Sequence, residues 1–135
     1  MPLSRGSTCA TGPAILHDSV LVVEDDAAAC TYLTAALDSA GYEVRTVADG
    51  AEALEVLATW RPGAVLLDLL LPGLDGWAFC ERIAARPELD GLAVIVMTAP
   101  ENRARPLRGV EPAAYLDKPF GLPELLATLW VATNS

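Results

Sequence analysis

The chain has 135 residues, with 18 acidic side chains against nine basic ones and a formal net charge of −9. That length suits one domain burying roughly two-thirds of the surface its unfolded chain exposes, and 53% hydrophobic with 20% charged residues excludes intrinsic disorder. The acid excess argues against nucleic acid or an anionic membrane as a direct partner, because phosphate surfaces attract cations.

Residues 1–17 read as a flexible leader ahead of one domain spanning 18–135. The leader has no apolar stretch of the secretory kind. Val20, Leu21, Val22 and Val23 form an apolar run that stops at Glu24, Asp25 and Asp26, as a buried strand does. A helix is predicted over 27–40, with Cys30, Leu33, Leu37 and Ala40 on one face and Gly41 ending it. Residues 42–47 alternate like a strand, and 50–60 return to helical spacing through Leu54, Leu57 and Ala58. A third strand over 64–67 runs into Asp68. Turn signals at Pro72-Gly73 and Asp75-Gly76 precede a helix over 76–86, with Phe79, Cys80 and Ile83 inward.

A fourth strand over 92–97 ends at Thr98, and a fifth over 113–116 ends at Asp117, Lys118 and Pro119. The last helix starts near Leu122 and sets Leu122, Leu125, Leu126 and Leu129 on one face. Between them, over 99–112, a fourth helix is due, but Pro100, Pro106 and Pro112 punctuate the segment. An interior proline costs a helix ~3 kcal/mol, so a short or irregular helix is expected there. Apolar strands alternating with helices predict an α/β domain, a doubly wound five-stranded parallel sheet with helices on both faces.

Cys9, Cys30 and Cys80 are odd in number and widely spaced, with no Cys/His cluster, which argues against structural zinc and for a reduced, cytoplasmic setting. Cys30 and Cys80 read as small buried thiols. The longest apolar stretch is cut by Asp68 and Pro72, so no segment suits a membrane span. Trp60, Trp77 and Trp130 read as packing residues, Arg103, Arg105 and Arg108 as a solvated face, and Asp26 as a helix-start residue. His17 carries no role.

In sheets of this kind ligands bind outside the carboxyl ends of the strands. Glu24, Asp25, Asp68, Thr98 and Lys118 all fall there. Three crowded carboxylates repel one another, and a hard divalent cation such as Mg²⁺ resolves the conflict. Lys118, the only lysine in the chain, and the Thr98 hydroxyl beside such a site are suited to holding a phosphoryl group.

At these residues the chain resembles the receiver domain of bacterial two-component response regulators. The resemblance is carried by Val20 through Asp26, by Val65-Leu66-Leu67-Asp68 with the following Leu-rich loop to Gly76, by Val94 through Ala99, and by Tyr115-Leu116-Asp117-Lys118-Pro119-Phe120. It implies a flavodoxin-like sheet of strand order 2-1-3-4-5. It also implies that Asp68 is the phosphoacceptor, that Glu24, Asp25, Asp68 and the Leu70 backbone carbonyl hold Mg²⁺ (or Mn²⁺ in its place), and that Lys118 pairs with the phosphoryl group. Thr98 and Tyr115 are implied as the switch pair, Ala99 as the small residue leaving room for the phosphoryl group, and Lys118-Pro119 as a cis peptide.

Residues two beyond the phosphoacceptor and two beyond the threonine flank the path of the hydrolytic water in this family. Here they are Leu70 and Pro100, neither able to orient water, so slow dephosphorylation is expected. The span from Thr98 to Lys118 is about two residues shorter than the family pattern, which puts the usual output geometry in doubt. The implied partners are a sensor histidine kinase or histidine phosphotransfer protein and an unknown downstream protein. The chain ends about one helix after Lys118, which reads as a stand-alone or excised receiver rather than an enzyme with turnover. The alternative is a receiver-like binding module that works without phosphorylation. A haloacid-dehalogenase-type phosphatase is set aside, since its nucleophile lies on the first strand with a second Asp two residues later.

Overall fold

The computed structural model describes residues 15–134. Five parallel strands, β1 (Ile15–Val23), β2 (Glu43–Val47), β3 (Arg61–Asp68), β4 (Val94–Thr98) and β5 (Ala114–Asp117), form one sheet in the order β2-β1-β3-β4-β5. Helices α1 (Ala27–Ser39), α2 (Gly50–Leu57), α3 (Gly76–Ala84) and α4 (Leu122–Thr133) cover it. The doubly wound order expected from the sequence is the one observed.

Successive residues of a strand face opposite sides, and the core divides accordingly. Leu21, Val23, Val65, Leu67, Val94 and Val96 pack with Leu54 and Leu57 of α2 and Phe79 and Ile83 of α3. Val20, Val22, Ala64, Leu66, Ile95 and Met97 pack on the other face with Leu33 and Leu37 of α1 and Leu125 and Leu129 of α4. The central strands are buried on both sides, hence their unbroken apolar runs.

Local chemistry fixes where the helices begin. Asp26, Asp49 and Asp75 each accept the backbone N–H of the third residue of the following helix, at 3.1 Å from Ala29, 2.8 Å from Glu52 and 2.9 Å from Ala78. Helix α1 closes with the N–H groups of Gly41 and Tyr42 donating back to Asp38 and Leu37, both at 3.0 Å.

Two strands start earlier than expected. Backbone pairing of Ile15 with Arg61 and Leu16 with Pro62 extends β1 and β3 toward the amino end, with a register irregularity in β1 before Val20. The last three residues of the expected leader, 15–17, therefore belong to the sheet. The rest of that leader, the His17 side chain and Cys9 lie outside the described residues. Pro62 sits near the start of β3, where a strand tolerates a missing N–H.

The fourth crossover contains no α-helix. A five-residue 3₁₀ helix, Pro100–Ala104, is followed by irregular chain to β5. Arg105 is held extended, at φ −88° and ψ 116°, because the ring of Pro106 disfavours the helical region for the residue before it. The segment is tied down by side chains instead. Trp77 Nε1 donates to the Arg105 carbonyl at 3.2 Å, the Arg105 guanidinium lies 4.4 Å over the Trp77 ring, and Leu107 and Val110 pack on the α2–α3 side of the core.

Three expectations about single residues need correction. Trp130 is 63% exposed, since the core-facing stripe of α4 is filled by Leu125 and Leu129, which are one turn apart. Arg103 and Arg105 are not merely a solvated face, for both guanidinium planes stack on aromatic rings. Cys30 is half-buried and its thiol donates to the Glu24 carbonyl at 3.2 Å, whereas Cys80 is fully buried. Trp60 and Trp77 are packed as expected.

Candidate functional site

The site forms where four strands end on one rim. The parallel register pairs Val23 with Leu67, Asp68 with Met97 and Thr98 with Asp117, so Glu24, Asp68, Thr98 and Lys118 leave their strands at nearly the same level. Carboxylate oxygens of Glu24, Asp25 and Asp68 come within 4.8 Å of one another. Glu24 and Asp68 are buried, and Asp25 faces solvent.

Lys118 Nζ reaches both buried acids, 3.2 Å from Glu24 Oε1 and 3.4 Å from Asp68 Oδ2. Asp68 Oδ1 accepts the Leu70 backbone N–H at 3.2 Å, and Glu24 Oε2 accepts that of Asp26 at 3.2 Å. Burial pushes the Glu24 carboxyl above its ordinary range and the Asp68 charge adds to this, against the pull of the Asp26 N–H and Lys118. Burial alone would lower the Lys118 ammonium, but the Asp68 and Glu24 charges outweigh it and hold it above its usual value. Lys118 thus meets two of the three clustered carboxylates, and the donors of the cluster are all hard oxygens. That set fits a divalent cation such as Mg²⁺.

Thr98 is buried at the end of β4, and its Oγ1 accepts a hydrogen bond from Asn102 Nδ2 at 3.1 Å. Ala99 is half-buried and precedes the 3₁₀ helix that Pro100 opens. Leu70 is exposed beside Asp68. The Lys118-Pro119 peptide is cis. Tyr115 is half-buried in β5, with the Arg103 guanidinium 4.3 Å over its ring and Arg103 Nη2 paired to Asp117 at 2.9 Å.

The sequence reading missed Asn102 and Arg103. Asn102 stands four residues beyond Thr98, one helical turn, which was its only signal. Arg103 was counted with its neighbours as solvated.

Comparison with known proteins decides the family. The model of the response regulator receiver domain matches residues 20–129. The chain belongs to the response regulator receiver domains. It is 41% identical over 112 residues to the response regulator MprA of Mycobacterium sp. (strain KMS), covering 82% of this chain and 48% of that protein. The chain thus spans about half the length of the curated relatives it matches. Among solved structures, the receiver domain of the sensor histidine kinase PA1611 from Pseudomonas aeruginosa, with a magnesium ion coordinated in its active site cleft, superimposes with a TM-score of 0.81 at 34% identity. That likeness covers 87% of this chain and 98% of the other. A putative response regulator from Chloroflexus aurantiacus gives a TM-score of 0.80 at 32% identity, over 87% of this chain and 98% of its own. As a receiver domain the chain is a phosphorylatable module of two-component signalling. No helix among the described residues is long and apolar enough to cross a membrane.

Proposed function

We propose that this receiver accepts a phosphoryl group on Asp68 from the phosphohistidine of a sensor histidine kinase or a histidine phosphotransfer protein, and that a protein partner reads the change that follows. The observation that carries this is the setting of Asp68, a buried carboxylate at a strand end, fixed by the Leu70 N–H on one oxygen and Lys118 on the other.

In the transfer, an Asp68 carboxylate oxygen forms a bond to phosphorus. The P–N bond breaks, and its electron pair returns to the imidazole nitrogen, which then takes a proton. Lys118 pairs as a compact cation with a phosphoryl oxygen. The Thr98 hydroxyl donates to another, in the space that small Ala99 leaves. Asp25, Asp68 and the Leu70 carbonyl, with Glu24 behind them, would hold Mg²⁺ (or Mn²⁺), which supplies positive charge against the phosphoryl oxygens.

The test is intact-mass spectrometry after incubation with acetyl phosphate and Mg²⁺. The expected result is a gain of one phosphoryl group that is absent in Asp68→Asn and without Mg²⁺. A gain that persists in Asp68→Asn would overturn the site. No gain in the parent would favour a binding module that acts without phosphorylation, a reading suited to the irregular fourth crossover.

A further inference from the structure

The short 3₁₀ helix Pro100–Ala104 touches both members of the Thr98–Tyr115 pair through two consecutive residues. Asn102 Nδ2 donates to Thr98 Oγ1 at 3.1 Å. Arg103, the next residue, lies 4.3 Å over the Tyr115 ring and bonds Asp117 Oδ1 at 2.9 Å. Asp117 itself immediately precedes Lys118, and the Lys118 N–H donates to the Thr98 carbonyl at 2.9 Å. The ends of β4 and β5 and the crossover between them are thus one connected set of contacts.

We propose that Asn102 and Arg103 form a two-residue latch, in which Asn102 is a positioning residue for the Thr98 hydroxyl and Arg103 pins Tyr115 against β5, so that neither can move while the 3₁₀ helix stays docked. This rests on Asp68 being the phosphoacceptor and adds how the switch is held in its resting state. The receiver resemblance implies that the Thr98 hydroxyl moves toward a phosphoryl oxygen on Asp68, and such a movement strains the Asn102 bond. Because Asn102 and Arg103 are adjacent in one short 3₁₀ helix, displacing one drags the other and unseats the stack on Tyr115. The geometry also explains how a receiver without an α-helix in this crossover can still couple its site to β5. A five-residue helix has no extended face, but its third and fourth side chains reach both strands.

Each contact alone is worth only a few-fold in an equilibrium, because the guanidinium and its carboxylate partner are both partly exposed. Contacts made only in the resting state are opposed by phosphoryl binding. Removing them shifts the population toward the phosphorylated form without any new contact to the ligand.

The experiment measures the affinity of the full chain for beryllofluoride, a phosphoryl mimic, in the presence of Mg²⁺. The indole N–H signal of Trp77, which is bonded to the Arg105 carbonyl just beyond the latch, serves as an NMR reporter. Asn102→Ala and Arg103→Ala are each expected to tighten the apparent affinity by about fivefold, the double variant by less than the product of the two, and Arg103→Lys to fall between parent and alanine. The Trp77 signal of each alanine variant should lie partway toward the liganded parent before ligand is added. A purely structural role would lower the melting temperature and leave the affinity unchanged or weaker, which overturns the latch. Should Asn102→Ala unfold, Asn102→Ser decides in its place. Parent that binds beryllofluoride only with Asp68 intact, beside latch variants that match it, defeats the latch alone. Parent that fails to bind defeats the phosphoacceptor reading and the latch with it.

Discussion

Lys118 Nζ stands 3.2 Å from Glu24 Oε1, joining residues 94 positions apart in the chain. The same ammonium lies 3.4 Å from Asp68 Oδ2. It therefore occupies part of the negative field that a divalent cation would share, and the two positive charges would compete for the same carboxylates. Lys118→Ala should bind Mg²⁺ several-fold more tightly than the parent, by isothermal titration. It should also take up phosphate from acetyl phosphate about a hundredfold more slowly, as a charged donor to the phosphoryl group is lost. Unchanged Mg²⁺ affinity would show that Lys118 and the metal do not share a field.

The lifetime of the acyl phosphate is expected to be long. Leu70 is 59% exposed at the lip of the site and Pro100 is exposed at the first position of the 3₁₀ helix. Neither can accept a proton from water or orient it. Leu70→Asn and Pro100→Glu should each accelerate decay several-fold, followed by intact mass after removal of the phosphodonor. If both variants decay at the parental rate, neither position governs the water.

What the sequence makes legible here is local. The apolar runs of β1, β3 and β4 stop at Glu24, Asp68 and Thr98 because a parallel sheet admits charge only at its rim, and those stops locate the site. Asp26 reads as a cap because its side chain answers to a backbone N–H three residues away, within reach of pattern. Besides the Asn102–Thr98 hydrogen bond, the contacts that escaped are those in which an arginine meets an aromatic ring. Arg103 and Tyr115, or Arg105 and Trp77, have no periodicity to announce them. The early start of β3 was hidden by Pro62, which argues against a strand interior but not against its first turn of pairing. Trp130 was misjudged for a related reason, since a large apolar residue next to a core stripe need not join it.

Cys80 gives a pH dependence separate from the site. Burial in α3 pushes its thiol up to about 12 from an ordinary 9.0, with a smaller push from Glu81. A folded pKa above the unfolded one means the folded state keeps its proton longer. The contribution to stability is therefore whole below about pH 9 and is lost as pH rises toward about 12. Urea denaturation across this range should show the parent losing up to about 4 kcal/mol more than Cys80→Ala, whose stability lacks this term. At pH 8 the native thiol should also resist iodoacetamide until the protein is unfolded.

The irregular crossover leans on α3 at one glycine. Gly109 has φ +90°, and a Cβ there would lie 2.7 Å from Ala84 Cβ and 3.2 Å from the Cys80 carbonyl oxygen. Gly41 has a similar φ, +96°, with nothing within 4 Å of an added Cβ. The pair separates backbone strain from crowding. Gly41→Ala should cost about 1 kcal/mol in urea denaturation, the strain of a left-handed residue alone. Gly109→Ala should cost about 2–3 kcal/mol, since the methyl group also forces the crossover off the helix. The Trp77 indole signal should shift in Gly109→Ala and not in Gly41→Ala, because Trp77 holds the same crossover through Arg105. Equal costs in the two variants would mean that the segment is free to move away from α3, and that packing against the helix does not hold the crossover in place.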